Sequence, residues 1–288
     1  MFSFFLFCLL LVGLWLYARA RPVASSPLHR AGNGQTLVIS HGDEANSGLY
    51  PGNTLHYLQQ MVELGVDALE FDLNLTADGA LVLIHDGNLE RTSDGRGAVQ
   101  DMTLEELRRL NAAHRWTRDG ETFPYRARPL PISTVDEVFA ALPNTPMIIE
   151  LKNNDLRAAA ALAHSVRAAG AETRVVVSSF HYRVIAQFRQ LCPQAATGAT
   201  LPEGLLFFAA QLLGAEKLLR PAYQTMQLPP EFHGIRVFTR RFVRAAHRCG
   251  LHLSVWTVDK PEEMRAFIAL GLDGIVTNRP DTLLSLRG

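Results

Sequence analysis

At 288 residues, 48% apolar and 19% charged, the chain has the length for one barrel-sized α/β domain with a large core, and its composition excludes a disordered or fibrous protein. The 28 Lys and Arg cancel the 28 Asp and Glu, and no aromatic residues interleave with basic ones, so nothing in the chain suits nucleic acid. The three cysteines, Cys8, Cys192 and Cys249, are odd in number and lack metal spacing, so they read as buried thiols rather than a disulfide framework.

The chain opens on Phe2 to Tyr17, an uncharged apolar run close to the roughly 17 residues needed to span a bilayer. Its charges, Arg19 and Arg21, follow the run instead of preceding it. That order favours an uncleaved membrane anchor with the following domain on the cytoplasmic side. The small-x-small triplet Ala18-Arg19-Ala20 keeps a cleaved export signal as the alternative. Residues 1–20 are therefore read as a transmembrane or signal segment. Residues 21–35, with Pro22, Pro27, Gly32 and Gly34, are read as a linker, and 36–288 as one domain.

From residue 36, short β-branched apolar runs alternate with amphipathic stretches, the pattern of parallel strands buried on both faces. Strands are expected at Thr36–Ser40, Ala68–Asn74, Met147–Leu151, Val175–Ser179, Ala196–Thr200, Thr225–Leu228, Leu253–Thr257 and Gly274–Thr277. Helices are expected at Thr54–Leu64, Leu156–Ala169, Tyr182–Leu191, Thr239–Arg248 and Pro261–Leu270, with Gly65, Gly170, Gly250 and Gly271 as stops. Eight strands with intervening helices make a (β/α)8 barrel, whose site lies at the C-terminal ends of the strands.

One run breaks the alternation. Ala80–Ile84 follows Asn74 too closely for a parallel crossover, and the intervening Asp78-Gly79 suits a hairpin. A turn centred between Ala77 and Asp78 sets His85 opposite Glu70 and Leu83 opposite Asp72, gathering His85, Glu70 and Asp72 on one face.

Two histidines and three carboxylates thus fall at strand ends, in Ser40-His41, Leu69-Glu70-Phe71-Asp72, Ile84-His85-Asp86 and Ile149-Glu150-Leu151-Lys152. With Pro51-Gly52-Asn53-Thr54, Thr76-Ala77-Asp78-Gly79, Arg91-Thr92, Ser178-Ser179-Phe180, Val255-Trp256-Thr257-Val258 and Asp273-Gly274-Ile275-Val276-Thr277-Asn278, they form an ordered set that resembles the glycerophosphodiester phosphodiesterase family. The resemblance implies a barrel of the phospholipase-C-like phosphodiesterase type that hydrolyses a glycerophosphodiester to glycerol 3-phosphate and an alcohol. It further implies a metal held by Glu70, Asp72 and Glu150, with His41 and His85 as the acid–base pair, Lys152 facing the phosphate and Trp256 against the glycerol carbons. Carboxylate oxygens suit a hard divalent cation such as Mg2+, Ca2+ or Mn2+, and the lack of cysteine ligands argues against structural zinc.

The chain departs from the commonest family pattern at two places. His41-Gly42-Asp43 stands where His-Arg-Gly is usual, and Pro51-Gly52-Asn53-Thr54 where Pro-Glu-Asn-Thr is usual. Asp43 and Glu44 offer either further ligands or a solvated loop. Taken singly, Glu70, Asp72 or either histidine reads more readily as a structural residue; it is their joint placement that points to chemistry. Asp86 reads as orienting a loop, Lys152 could simply pair with Glu150, and Trp256 could belong to the core. The histidines at 56, 114, 164, 181, 233, 247 and 252 lack such partners and read as structural or surface residues.

Between the strands at Ala196–Thr200 and Thr225–Leu228, the segment Leu205-Leu206-Phe207-Phe208-Ala209-Ala210, with Leu212-Leu213 and Leu218-Leu219, carries more apolar residues than one buried stripe requires. It suits a bilayer-facing surface or an acyl-chain wall as well as a helix packed on the barrel. The first reading is thus a membrane-anchored, metal-dependent glycerophosphodiester phosphodiesterase. A lysophospholipase D producing lysophosphatidic acid, and a catalytically silent lipid- or partner-binding barrel, stand as alternatives. No specific protein partner is indicated.

Overall fold

The computed structural model describes residues 22–31, 34–42 and 48–287. The apolar run Phe2 to Tyr17 and the acidic pair Asp43 and Glu44 lie outside the described residues. Among the described residues no helix is long and apolar enough to cross a membrane.

The strands are β1 (Leu37–Ser40), β2 (Ala68–Leu75), β3 (Leu81–Leu83), β4 (Met147–Leu151), β5 (Val175–Ser178), β6 (Ala196–Thr197), β7 (Thr225–Leu228), β8 (Glu231–Phe232), β9 (Ile235–Arg236), β10 (His252–Val255) and β11 (Gly274–Thr277). Eight of them run in parallel in the order β6-β5-β4-β2-β1-β11-β10-β7. A parallel bridge between Gly198 and Thr225 joins the two ends of that path, closing the expected eight-stranded barrel. The strand expected over Ala196–Thr200 is cut to two residues because Thr200 instead caps the next helix, Leu201–Leu213, in a capping box with Glu203.

Alternation along the strands splits the core into two shells. Ile39, Ala68, Ile148, Val176, Ala196 and Val276 cluster with one another inside the barrel. Their neighbours Leu69, Phe71, Ile149 and Val177 pack outward with helix residues such as Leu58, Leu162 and Ile185. The inward series on β2 therefore continues as Glu70, Asp72 and Asn74, and on β4 as Glu150, which is how apolar strands present acids at one end. In the segment read as a linker, Pro27–Ala31 is a short helix whose Leu28 is buried within the inner cluster beside Leu37 and Ala68, at the strand starts. That part of the chain is packed against the barrel.

The hairpin exists, but its register is not the one expected. Leu83 pairs with Leu73 and not with Asp72, and Leu81 with Leu75. The reason lies in the turn: Thr76 N–H donates to Ala80 O (2.9 Å), and Gly79 adopts a left-handed φ of 87°. Three residues rather than two thus make the loop, which moves the pairing by one. Continued as a ladder, this register would put His85 opposite Phe71, on the outward face. Instead the chain leaves the ladder after Ile84. The amide Nδ2 of Asn74 donates to the carbonyls of Ile84, His85 and Asp86 at 3.0, 3.1 and 3.2 Å, curling the backbone over the strand ends. His85 still reaches the site, but by that curl and not by cross-strand pairing.

Residues 85–134, for which no strand or helix was expected, build a small satellite around Leu89, Val99, Leu107 and Ile132. The helix Val135–Ala141, capped by Thr134 and Glu137, leads back to β4.

Candidate active site

The parallel register of β2 and β4 sets Asp72 directly beside Glu150, and Glu70 lies two residues before Asp72 on the same face. One carboxylate oxygen from each of the three lies within 4.8 Å of the others. Their supports come from neighbouring elements. Glu70 Oε2 accepts the Gly42 N–H at 2.9 Å. Asn53, with a left-handed φ of 50°, grips Asp72 twice: its Nδ2 donates to Asp72 Oδ2 and its Oδ1 accepts the Asp72 N–H, both at 2.9 Å. The next residue, Thr54, caps helix Leu55–Leu64, so the Pro51-Gly52-Asn53-Thr54 motif is a device for orienting a carboxylate.

Lys152 lies against this cluster, with Nζ at 2.9 Å from Asp72 Oδ1 and 3.1 Å from Glu150 Oε1. Burial pulls its ammonium down, but the two carboxylates pull harder and leave it above its ordinary range. Burial, then the charge of Asp72, pushes Glu70 well above the usual carboxylate range, against the pull of the Gly42 N–H. Burial raises Glu150 also, against Lys152. Three acids with one ammonium leave negative charge in a poorly hydrated place. The three carboxylates form an all-oxygen donor set whose charge one ammonium does not balance, which fits a hard divalent cation.

The two imidazoles have different partners. His41 Nδ1 is 2.8 Å from Asn278 Oδ1. The Asn278 amide is oriented in turn by Asp259, which accepts its Nδ2–H and its backbone N–H at 2.8 Å each, and the Thr277 hydroxyl at 2.9 Å. Oδ1 can only accept, so Nδ1 of His41 carries the proton and Nε2 is the basic nitrogen. His85 Nδ1 lies 2.8 Å from Asp86 Oδ1. Arg91 binds both oxygens of Asp86 and, outweighing burial, draws that carboxyl down to about 2.

All seven expected residues, His41, Glu70, Asp72, His85, Glu150, Lys152 and Trp256, line one cavity of about 470 Å³. Trp256 faces it edge-on to Phe180, their ring centroids 6.4 Å apart. The orienting residues Asn53, Asn74, Asp259 and Asn278 were not singled out from sequence. For Asn278 and Asn53 the signal lay in their places in the Thr277-Asn278 and Asn53-Thr54 motifs. Gly42, where the family pattern favours arginine, has no room for a side chain: a Cβ there would meet Glu70 O at 2.6 Å and Phe71 Cα at 2.8 Å.

A family model described as the glycerophosphoryl diester phosphodiesterase family matches residues 44–282. A glycerophosphodiester phosphodiesterase of Caldanaerobacter subterraneus subsp. tengcongensis is 33% identical over 259 residues, which cover 88% of this chain and 98% of that protein. One from Bacillus altitudinis is 30% identical over 262 residues, at the same coverage. The fold matches that of a glycerophosphoryl diester phosphodiesterase domain from Mycobacterium tuberculosis with a TM-score of 0.75 at 21% identity, covering 88% of this chain and 98% of the other. On the match over residues 44–282 and its agreement with full-length relatives, the chain belongs to the glycerophosphoryl diester phosphodiesterase family.

Proposed function

We propose that the cavity hydrolyses glycerophosphodiesters to glycerol 3-phosphate and an alcohol, with Glu70, Asp72 and Glu150 holding a divalent cation and His41 and His85 moving the protons. The observation that carries this reading is the convergence of three carboxylate oxygens within 4.8 Å of one another, flanked by two oriented imidazoles. When bound, a cation such as Mg2+, Ca2+ or Mn2+ neutralises charge developing on the phosphoryl oxygens. His41, its Nδ1–H held by an amide oxygen, takes the proton of the attacking oxygen on Nε2. His85, its Nδ1–H held by the Asp86 carboxylate, delivers a proton to the departing alcohol as the P–O bond breaks. A carboxylate partner steadies the imidazolium required for that step. Lys152 supplies positive charge to the phosphate once it is released from Asp72 and Glu150, and Trp256 packs on the glycerol carbons.

Turnover of glycerophosphocholine by purified protein, with and without EDTA, tests the reading. Activity should vanish with chelation and return with added divalent cation. His41→Ala and Glu70→Ala should each lower kcat by about 10³-fold or more, combining a lost proton-transfer group or ligand with its charge stabilisation. Turnover indifferent to EDTA would sink the metal reading.

The same proposal places the domain at a membrane, supported by the uncharged run Phe2 to Tyr17 followed by Arg19 and Arg21. An anchored protein stays in the pellet of carbonate-washed membranes at full mass. An exported one is soluble and shortened after about residue 20.

A further inference from the structure

The strand-start end of the barrel, opposite the active site, is covered by the chain's own residues 22–31. Val23 N–H donates to Cys249 O at 2.9 Å, just past helix Arg240–Arg248, and Leu28 is buried in the inner cluster. Two imidazoles hold the segment between these points and β10. His29 lies at the surface, its Nδ1 3.1 Å from Ser26 N and 2.8 Å from Ser26 Oγ. A backbone N–H can only donate, so Nδ1 accepts and this ring is neutral while the segment is docked. A proton on Nδ1 would set two N–H groups against each other and leave the amide of buried Ser26 without its acceptor.

The His29 ring meets that of His252 edge-on, their centroids 5.3 Å apart. His252 is 2% exposed, and its Nε2 finds no hydrogen-bond partner among the described residues, while its Nδ1 is 3.4 Å from Ser254 Oγ. A charge on this ring would be buried with no acceptor at Nε2. Of the groups facing it, Asp273 before β11 favours the charged form, but that carboxylate already holds His247 Nε2 at 2.9 Å and the Leu253 N–H at 2.7 Å. His29 and His247 oppose the charge, and burial outweighs Asp273. The strand β5, which the segment also touches, is Val-Val-Val-Ser and titrates nothing. Docking thus requires both rings neutral, yet imidazoles in water take up protons in mild acid.

We propose that residues 22–31 form an acid-released clasp: protonation of His29 and His252 unseats this segment from the strand starts while the barrel stays folded. Each ring takes up one proton, that of His29 on Nδ1. Leu28 leaves the inner cluster, and residues 22–36 become a slack link between the first 21 residues and β1. Acid thereby sets how far the barrel can move from residues 1–21. No active-site residue takes part, so the inference stands apart from the hydrolase reading.

Hydrogen exchange of the full chain, followed by mass spectrometry on peptides spanning residues 22–31, tests the clasp, each rate being divided by the intrinsic amide rate at that pH. A released imidazole with the ordinary value near 6.5 contributes about tenfold to opening between pH 7.5 and 5.5, so two contribute about 100-fold. We expect the protection of the segment to fall by that factor, and at pH 5.5 to lie at least about tenfold below that of β2 and β4, as a local opening requires. His29→Asn, whose Oδ1 can still accept the Ser26 N–H, should reduce the fall to about tenfold, as should His252→Asn, and the double variant should show almost none. Protection that is the same at both pH values, or a segment that opens only together with β2 and β4, overturns the inference. So does an undiminished fall in His29→Asn, which decides alone if His252→Asn does not fold.

Discussion

Glu70 meets two opposed demands. It is buried beside Asp72, and burial with that neighbouring charge holds its carboxyl well above the usual range. A carboxyl raised in the folded state stabilises the fold at pH below its unfolded value, and that contribution is lost as pH rises toward the folded value. At neutral pH the metal-free protein therefore carries a stability cost at this residue, which a bound cation relieves. Glu70→Gln keeps the shape and removes the charge. It should raise the melting temperature of EDTA-treated protein at pH 7.5 by a few degrees, equivalent to about 1 kcal/mol, while abolishing metal-dependent turnover. A lower melting temperature in scanning calorimetry would show that the Gly42 N–H bond outweighs the charge. His41 and Glu70 were legible as residues because their types and neighbours are distinctive. The ring orientation of His41 was not, since it depends on Asp259 and Asn278, more than two hundred positions away in sequence.

Among the elements, the β2–β3 hairpin shows where pattern reading stops. Alternation along Ala68–Leu75 correctly put Glu70 and Asp72 on one face, because the side-chain period of a strand is set by its own backbone. The pairing register depended on whether two or three residues formed the turn, a choice made by Gly79 and by Thr76, whose hydroxyl accepts the Ala80 N–H and donates to Asp78. The placement of His85 then passed to the Asn74 amide. Asn74→Ala releases three carbonyls and the curl they hold. It should lower kcat about 10²-fold through misplacement of His85, with KM for glycerophosphocholine within about threefold of wild type, read from steady-state kinetics. A kcat near wild type would mean that Asp86 and Arg91 suffice to position the ring. The satellite at 85–134 escaped notice for a related reason: its few apolar residues, such as Leu89, Val99 and Leu107, are spaced without helix or strand period and cohere only in three dimensions.

Across the whole molecule, the barrel is chemically divided between its two ends. The strand C-termini carry charge. Near the strand starts His252 is buried on β10, its ring 5.3 Å from that of His29, the residue after Leu28, which is buried in the inner core. Burial holds His252 down at about 4, with Asp273 pulling the other way and His29 and His247 adding to the depression. The sign follows. Below its unfolded value near 6.5, the unfolded chain takes up a proton that the folded chain refuses, so this residue's stability is present above that pH and is lost as pH falls toward 4. Between pH 6.5 and 5 the wild type should lose about 2 kcal/mol more than His252→Asn, measured by urea unfolding at both values. Equal losses would remove His252 as the cause. By itself the sequence determined the alternation of strands and helices, the faces of the strands and the identity of the chemical groups, because these follow from local periodicity and side-chain type. Only the tertiary structure decided the hairpin register, the route by which His85 enters, the partners that orient each imidazole and the packing of Leu28 into the strand-start end, because each depends on contacts between residues far apart along the chain.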